Sequence, residues 1–223
     1  INYFEFDNNY YENIRNILES NSVLNSIISN VSDPENKIIQ LLKIKTKFIP
    51  FDSSLKTPFT NKYTSKKTLG QDRIALVSSS VKLYPNEYVL IIDCGSCITY
   101  DFINNKNEFI GGAISPGLLM RYKALNNFTS NLPLLKPKKI NYIIGDNSEK
   151  SIHSGIINGI TAELNGMIDS YKKEYKKIRI ILTGGDSKFL SSKIKNTIFA
   201  NSNFLFLGLN HLIEFNKKKF KNF

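Results

Sequence analysis

Tyr88-Val89-Leu90-Ile91-Ile92-Asp93-Cys94-Gly95-Ser96-Cys97-Ile98-Thr99 is the stretch that decides the reading of this chain. Tyr88 to Ile92 is a short apolar run of the length and composition of a buried strand. It stops at a carboxylate, and a glycine and a hydroxyl residue follow. A glycine at such a strand end lets backbone N–H groups approach a phosphate with no side chain in the way. The hydroxyls of Ser96 and Thr99 could donate to phosphate oxygens. A carboxylate at Asp93 would repel those oxygens unless a cation lay between them, so the pattern implies a cation. An ordinary β-turn opened by an Asp fits the same residues, and the local pattern alone does not separate the two readings.

Working outward, Ile98 to Ile103 reads as a second strand, Asn104 to Asn107 as a hairpin turn and Phe109 to Ile114 as a third strand. Leu118 to Phe128 and Ser148 to about Tyr175 read as helices, and Ile178 to Thr183 as another buried strand. After a further helix, Phe204 to Leu207 is expected as a strand and Asn210 to Asn216 as a last helix. On the amino-terminal side, Gly70 to Tyr84 carries Ile74, Val77, Val81 and Tyr84 at helical spacing. Residues 52–68 read as a surface loop, and Phe48 to Phe51 as a short strand. Two helices, about Asn9 to Glu19 and Pro34 to Lys43, flank an apolar strand ending near Ser32. Successive strands followed by helices and more strands fit an α/β fold with a mixed sheet.

The chain has 223 residues, enough for one large domain or two small ones. Its net charge of +11 invites a nucleic-acid reading, but the lysines are scattered, so a solvated basic surface is expected and no nucleic-acid partner. Such a field would also suit an anionic substrate. No apolar run approaches the roughly 18 residues needed to span a membrane. Residues 1–20 are polar and aromatic without an apolar centre, so no secretory leader is expected and the expected compartment is the cytoplasm.

Cys94 and Cys97 form a CxxC. The chain has 2 Cys and 2 His, His153 and His211, without zinc-finger spacing, so a tetrahedral zinc site is not supported. A redox CxxC should open a helix, whereas Ile98-Thr99-Tyr100 favours a strand. Small buried residues in a reducing compartment are the expectation.

Two more glycine turns repeat the logic of the first. Gly111-Gly112-Ala113-Ile114-Ser115-Pro116-Gly117 lets the backbone approach closely and then turns into a helix. Gly184-Gly185-Asp186-Ser187 places two glycines between a strand and a helix start, a favourable place for a nucleotide. Gly70-Gln71-Asp72-Arg73 stands at the head of a helix, where an Asp is most simply a cap. Functionally, Asp72 could accept a proton from a substrate hydroxyl and Arg73 could hold an anionic group.

Taken in order, these motifs resemble type III pantothenate kinase, of the actin-like ATPase and sugar kinase superfamily. The series runs from Tyr63 and Leu69-Gly70-Gln71-Asp72-Arg73 through Asp93 to Thr99 and Gly111 to Gly117. Asn131-Leu132-Pro133, Ile144-Gly145-Asp146-Asn147-Ser148 and Thr183-Gly184-Gly185 complete it. The resemblance implies transfer of the ATP γ-phosphoryl group to the pantothenate hydroxyl, the first step of coenzyme A synthesis, with Mg2+ and a monovalent cation, K+ or NH4+. It implies a homodimer with the pantothenate pocket near the interface. Asp72 becomes the general base, and Tyr63, Gly70, Gln71, Asp72, Arg73 and Ser148 the pantothenate site. Gly95, Ser96, Gly184 and Gly185 become ATP-binding residues and Asp93 the monovalent-cation ligand.

The implied fold is a pair of ribonuclease-H-like domains with mixed sheets, residues 1–87 and 88–223. The family's Asp-x-Gly-Asn-Thr phosphate loop is not in the sequence, which opens at Ile1. The first domain is therefore expected to lack its initial strand and loop, about 20–30 residues by normal strand and hairpin sizes. Ser96-Cys97 replaces the usual Thr-Ala, and Ser148 a usual Thr. A non-catalytic regulatory relative and another sugar-kinase-like member are the alternatives to the kinase; intact Asp72, Arg73 and Asp93 weigh against the first and the Gly70 to Arg73 motif against the second.

Overall fold

Val89, Leu90, Ile91 and Ile92 are all 0% exposed, which requires cover on both faces of their strand. The computed structural model describes residues 9–29, 36–195 and 198–217 and shows how that cover is built. In chain order the elements are α1 (Tyr10–Ser20), β1 (Asn25–Ile27), α2 (Asn36–Lys45), β2 (Lys47–Ile49) and β3 (Thr60–Asn61). After a 3-10 turn at Lys66–Thr68 come α3 (Gln71–Leu83), β4 (Val89–Cys94), β5 (Cys97–Ile103), β6 (Glu108–Pro116) and α4 (Leu118–Asn127). The chain continues through α5 (Ser148–Glu174), β7 (Arg179–Thr183), α6 (Ser187–Ser191), β8 (Phe199–Ala200) and α7 (Phe204–Asn216).

The main sheet has six strands in the order β3-β6-β5-β4-β7-β8. β4, β5 and β6 form an antiparallel meander, while β7 runs parallel to β4 and β8 parallel to β7. This is the expected α/β fold with a mixed sheet. A second, two-stranded parallel sheet joins β1 to β2.

Alternation along β4 sorts its side chains between two cores. Leu90, Ile92 and Cys94 join the cluster built by Ile156, Ile157, Ile160, Leu164 and Ile168 of α5. Val89 and Ile91 join the cluster of Leu76 and Val77 of α3 with Phe204 of α7. Each fully buried aliphatic side chain contributes about 1.5–3 kcal/mol. The strand is thus apolar without interruption because helices lie on both sides of it.

α3 carries more buried surface than its apolar stripe suggests, because Ser78, Ser79 and Ser80 are also buried. The Ser79 hydroxyl donates to the Phe204 carbonyl at 2.5 Å, and a Cβ on Gly208 would overlap the Ala75 carbonyl. Small residues on both helices let α3 and α7 cross in close contact.

Several expected boundaries move. Phe204 to Leu207 is not a strand: α7 is continuous from Phe204, with Phe204, Gly208 and Leu212 buried at four-residue spacing, and the strand lies earlier, at Phe199–Ala200. β6 runs on to Pro116, and β2 ends at Ile49. β1 covers Asn25–Ile27 only, and the expected strand end near Ser32 and helix start at Pro34 lie outside the described residues. Residues 52–68 contain β3 and the 3-10 turn. The Asn104 to Asn107 turn forms as expected, with Asn107 at φ 55° and its amide donating to Asn86 Oδ1 at 3.0 Å.

Candidate active site

Strand alternation places Asp93 on the same face of β4 as Val89 and Ile91, the face covered by α3. That face carries Thr99, directly opposite Asp93 on β5, and Asp101 two residues on. The end of β4 therefore meets the amino terminus of α3, where Asp72 lies. Burial pushes the Asp93 carboxyl up to about 6, and the charges on Asp72 and Asp101 add to the rise.

Beyond Asp93 the chain turns at Gly95 and Ser96, with the Gly95 N–H donating to the Cys97 carbonyl at 3.0 Å. The cross-strand partner of Cys94 is Ile98, so Cys94 shares the α5-side core with it and Cys97 projects from the other face. The two cysteines are free and are not placed to pair. Burial pushes the Cys94 thiol up to about 12, in keeping with an inert core residue.

The three glycine turns read from the sequence converge here. The Gly117 N–H donates to the Ser96 carbonyl at 3.2 Å, and a Cβ on Gly117 would overlap the carbonyls of Gly95 and Ser96. The Asp186 N–H donates to the Cys94 carbonyl at 2.9 Å. Gly184 has φ +91°, and a Cβ there would overlap Asp93 Oδ1 and the Cys94 carbonyl. Gly184→Ala meets both the backbone strain and that overlap, so a loss of about 1–3 kcal/mol in chemical denaturation is expected. Around this junction lies a cavity of about 380 Å³ lined by Gly95, Ser96, Leu119, Met120, Lys123, Gly185 and Asp186.

A second group of residues assembles against the same face. Asp72 folds back at the start of α3: its Oδ1 accepts the Arg73 N–H at 2.8 Å, and a Cβ on Gly70 would overlap that oxygen. Tyr63 lies over Gly111, whose φ is +130°, and packs on Phe109 at 5.8 Å between ring centroids. The Arg73 guanidinium sits 5.3 Å from the Tyr63 centroid and 5.6 Å from that of Phe109.

Arg73 is 6% exposed, and it donates to Asp101 through Nε at 2.8 Å and through a terminal nitrogen at 2.7 Å. Asp101 is 0% exposed and also accepts from the Thr99 hydroxyl at 3.1 Å. Burial pushes the Asp101 carboxyl up to about 6 against the pull of Arg73, and at neutral pH the pair is ionised. The sequence offered Arg73 as a holder of a substrate anion; the fold pairs its guanidinium with Asp101 and sets it beneath Tyr63.

Gln71 donates through Nε2 to the Phe51 carbonyl at 3.4 Å, joining the head of α3 to the loop after β2. Ser148 stands apart. It is the exposed first residue of α5, beside the Asn147 cap that accepts from the Lys150 N–H at 2.9 Å. Among the described residues no hydrogen bond joins it to Tyr63, Asp72 or Arg73. Sequence reasoning missed Asp101, Lys123 and Asp186. For Asp101 a signal existed, a carboxylate inside an otherwise apolar strand, which has to be paired when buried.

Comparison with known proteins identifies the family. A family model described as type III pantothenate kinase matches residues 3–170. A protein named type III pantothenate kinase from Christiangramia forsetii is 49% identical over 93% of this chain and 86% of its own length. One of the same name from Flavobacterium johnsoniae is 41% identical over 96% of this chain and 89% of its own. Among solved structures, a Baf family transcriptional activator from Campylobacter jejuni shares the fold at TM-score 0.60 and 22% identity, covering 92% of this chain and 89% of that one. The residue series, the convergent glycine turns and these relatives together establish that the chain belongs to the type III pantothenate kinase family.

Proposed function

We propose that this chain is an ATP-dependent pantothenate kinase, transferring the γ-phosphoryl group of ATP to the pantothenate hydroxyl to give 4'-phosphopantothenate. The observation that carries the reading is the meeting of the glycine turns with Asp72 and Asp93 on one face of the sheet. Phosphoryl transfer asks for positioning and charge neutralisation more than for covalent chemistry. The Gly95-Ser96 hairpin and the Gly184-Gly185 turn supply an open backbone cradle for the nucleotide. Asp72 accepts the proton of the attacking hydroxyl as the new O–P bond forms. Tyr63, Gly70 and Gln71 shape the pantothenate side; Arg73 fixes the Tyr63 wall through Asp101. The role of Ser148 as a pantothenate contact rests on the family resemblance.

The donor set at Asp93 fits a hard cation. Asp93 has no cationic partner among the described residues, and Asp72, Asp93 and Asp101 face one guanidinium, leaving excess negative charge where phosphates must approach. Mg2+ would arrive on the substrate phosphates. Asp93 would hold the K+ or NH4+ ion, and the bound cations would neutralise phosphate charge during transfer.

The finer architecture, two ribonuclease-H-like domains divided at residue 87, is part of this proposal. The β4–β5–β6 meander followed by parallel β7 and β8 supports the second of these domains, and β3 and α3 from the first segment add to its sheet and core. A homodimer and a cytoplasmic location are proposed on the family resemblance. The exposed Ile143 and Ile144 offer apolar surface for a second copy, and no described helix is long and apolar enough to cross a membrane.

The deciding experiment measures ADP release on addition of pantothenate, with and without K+ or NH4+. Pantothenate-dependent release, stimulated by the cation, is expected; its absence would sink the kinase reading. Asp93 adds a pH dependence. A carboxyl raised in the fold binds more protons folded than unfolded between roughly pH 4 and 6. Stability of the cation-free protein therefore falls as pH rises through that window and levels off above it. Asp93→Asn should raise Tm in cation-free buffer at pH 7 and abolish stimulation by K+. Identical Tm profiles for wild type and variant from pH 4 to 7 would contradict this.

A further inference from the structure

The phosphate hairpin rests on the Ser115-Pro116-Gly117 turn, and a single carboxylate on the opposite face of the sheet fixes that turn. Glu163, from the middle of α5, accepts from the Ser115 hydroxyl at 2.5 Å and from the Tyr100 hydroxyl at 3.0 Å, both at Oε1. Its Oε2 accepts from Arg121 of α4 at 2.5 Å. Arg121 in turn donates through Nε to the Pro116 carbonyl at 2.9 Å. One side chain thus ties β5, the end of β6, α4 and α5 to the turn whose Gly117 N–H bonds the Ser96 carbonyl. Burial alone would raise the Glu163 carboxyl, but the donors from Ser115, Arg121 and Tyr100 outweigh it and hold it below its usual range. It is therefore a charged acceptor at neutral pH.

We propose that Glu163 is a positioning residue for phosphoryl transfer, which sets the Gly95-Ser96 hairpin through Ser115, Arg121 and the Pro116-Gly117 turn. The proposal rests on the kinase reading. Glu163 lies on the α5 side of the sheet, away from Asp72 and the Tyr63 pocket, so it acts on the nucleotide side alone. Arg121 belongs to α4, the helix whose Leu119, Met120 and Lys123 line the cavity, so the same node also sets the wall of that cavity.

The test is steady-state kinetics of the full chain with ATP and pantothenate varied separately, for wild type, Glu163→Ala, Glu163→Gln and Ser115→Ala. Loss of the node should raise KM for ATP about tenfold in Glu163→Ala, the scale expected of a displaced phosphate cradle, with KM for pantothenate unchanged. Glu163→Gln keeps an acceptor for Ser115 and Tyr100 and should recover part of the loss; Ser115→Ala, which breaks only the link to the turn, should move KM for ATP in the same direction. Equal changes in both KM values, or no change in the Gln and Ser115 variants, would overturn the proposal. Should Glu163→Ala fail to fold, the Gln and Ser115 variants still decide. If wild type shows no turnover, the kinase reading fails separately. Titration with a non-hydrolysable ATP analogue then tests the hairpin: weaker binding in Glu163→Gln and Ser115→Ala supports the positioning role, and equal binding overturns it.

Discussion

Asp72→Asn lowers kcat by about 10²–10⁴-fold, the range for loss of a general base, while the Kd values for pantothenate and ATP stay nearly constant. The geometry makes this substitution a clean one. Asp72 accepts one backbone hydrogen bond, from the Arg73 N–H, and an Asn oxygen replaces that acceptor without a change of shape. The start of α3 and the close approach over Gly70 are therefore preserved. What disappears is the negative charge and the capacity to take the hydroxyl proton. An interaction used only in the transition state shows itself as a fall in kcat and kcat/KM together, with binding retained. Rapid-quench or coupled ADP assays give the first quantity and calorimetry the second. Unchanged turnover would remove Asp72 as the base and return it to the role of a helix-start residue.

Arg73→Ala destabilises the chain by about 3–5 kcal/mol, the scale for breaking a buried ion pair from one side. Asp101 is 0% exposed, and its remaining partner is the Thr99 hydroxyl, too weak a donor to satisfy a buried carboxylate. Tyr63 and Phe109 also lose the guanidinium surface between them. Urea unfolding followed by far-UV circular dichroism measures the loss. The double variant Arg73→Met/Asp101→Leu removes the stranded charge and refills the volume, so it should regain most of the stability. Activity should not return with it, because Tyr63 and the head of α3 are then held by different contacts. A loss below about 1 kcal/mol in Arg73→Ala, the level of a surface pair, would mean that the Arg73–Asp101 pair does not hold the α3–β5 contact together.

The two variants separate what was visible in the sequence from what was not. Val89 to Ile92 could be read as a buried strand because a sheet covered by helices on both faces needs an uninterrupted apolar run. The three glycine turns were visible because each ends a strand, and at Gly112, Gly117 and Gly184 a side chain would collide with another backbone. Phe204 to Leu207 misled because four apolar residues fit a short strand or one turn of a buried helix equally well. Only the burial of Phe204, Gly208 and Leu212 at four-residue spacing, with Gly208 against Ala75 of α3, resolves it.

By itself, the sequence determined the mixed α/β architecture, the hairpin at Gly95 and Ser96, and the ordered motif series that belongs to the type III pantothenate kinase family. These are local properties, set by periodicity, backbone freedom and residue order. Only the tertiary structure decided which partners those residues take. It paired Arg73 with Asp101, separated Cys94 from Cys97 across the sheet, and placed Glu163 behind the Gly95-Ser96 hairpin. Such pairings join residues 28 and 48 positions apart, and a buried charge finds its counter-charge through strand register and helix docking, which no local pattern encodes.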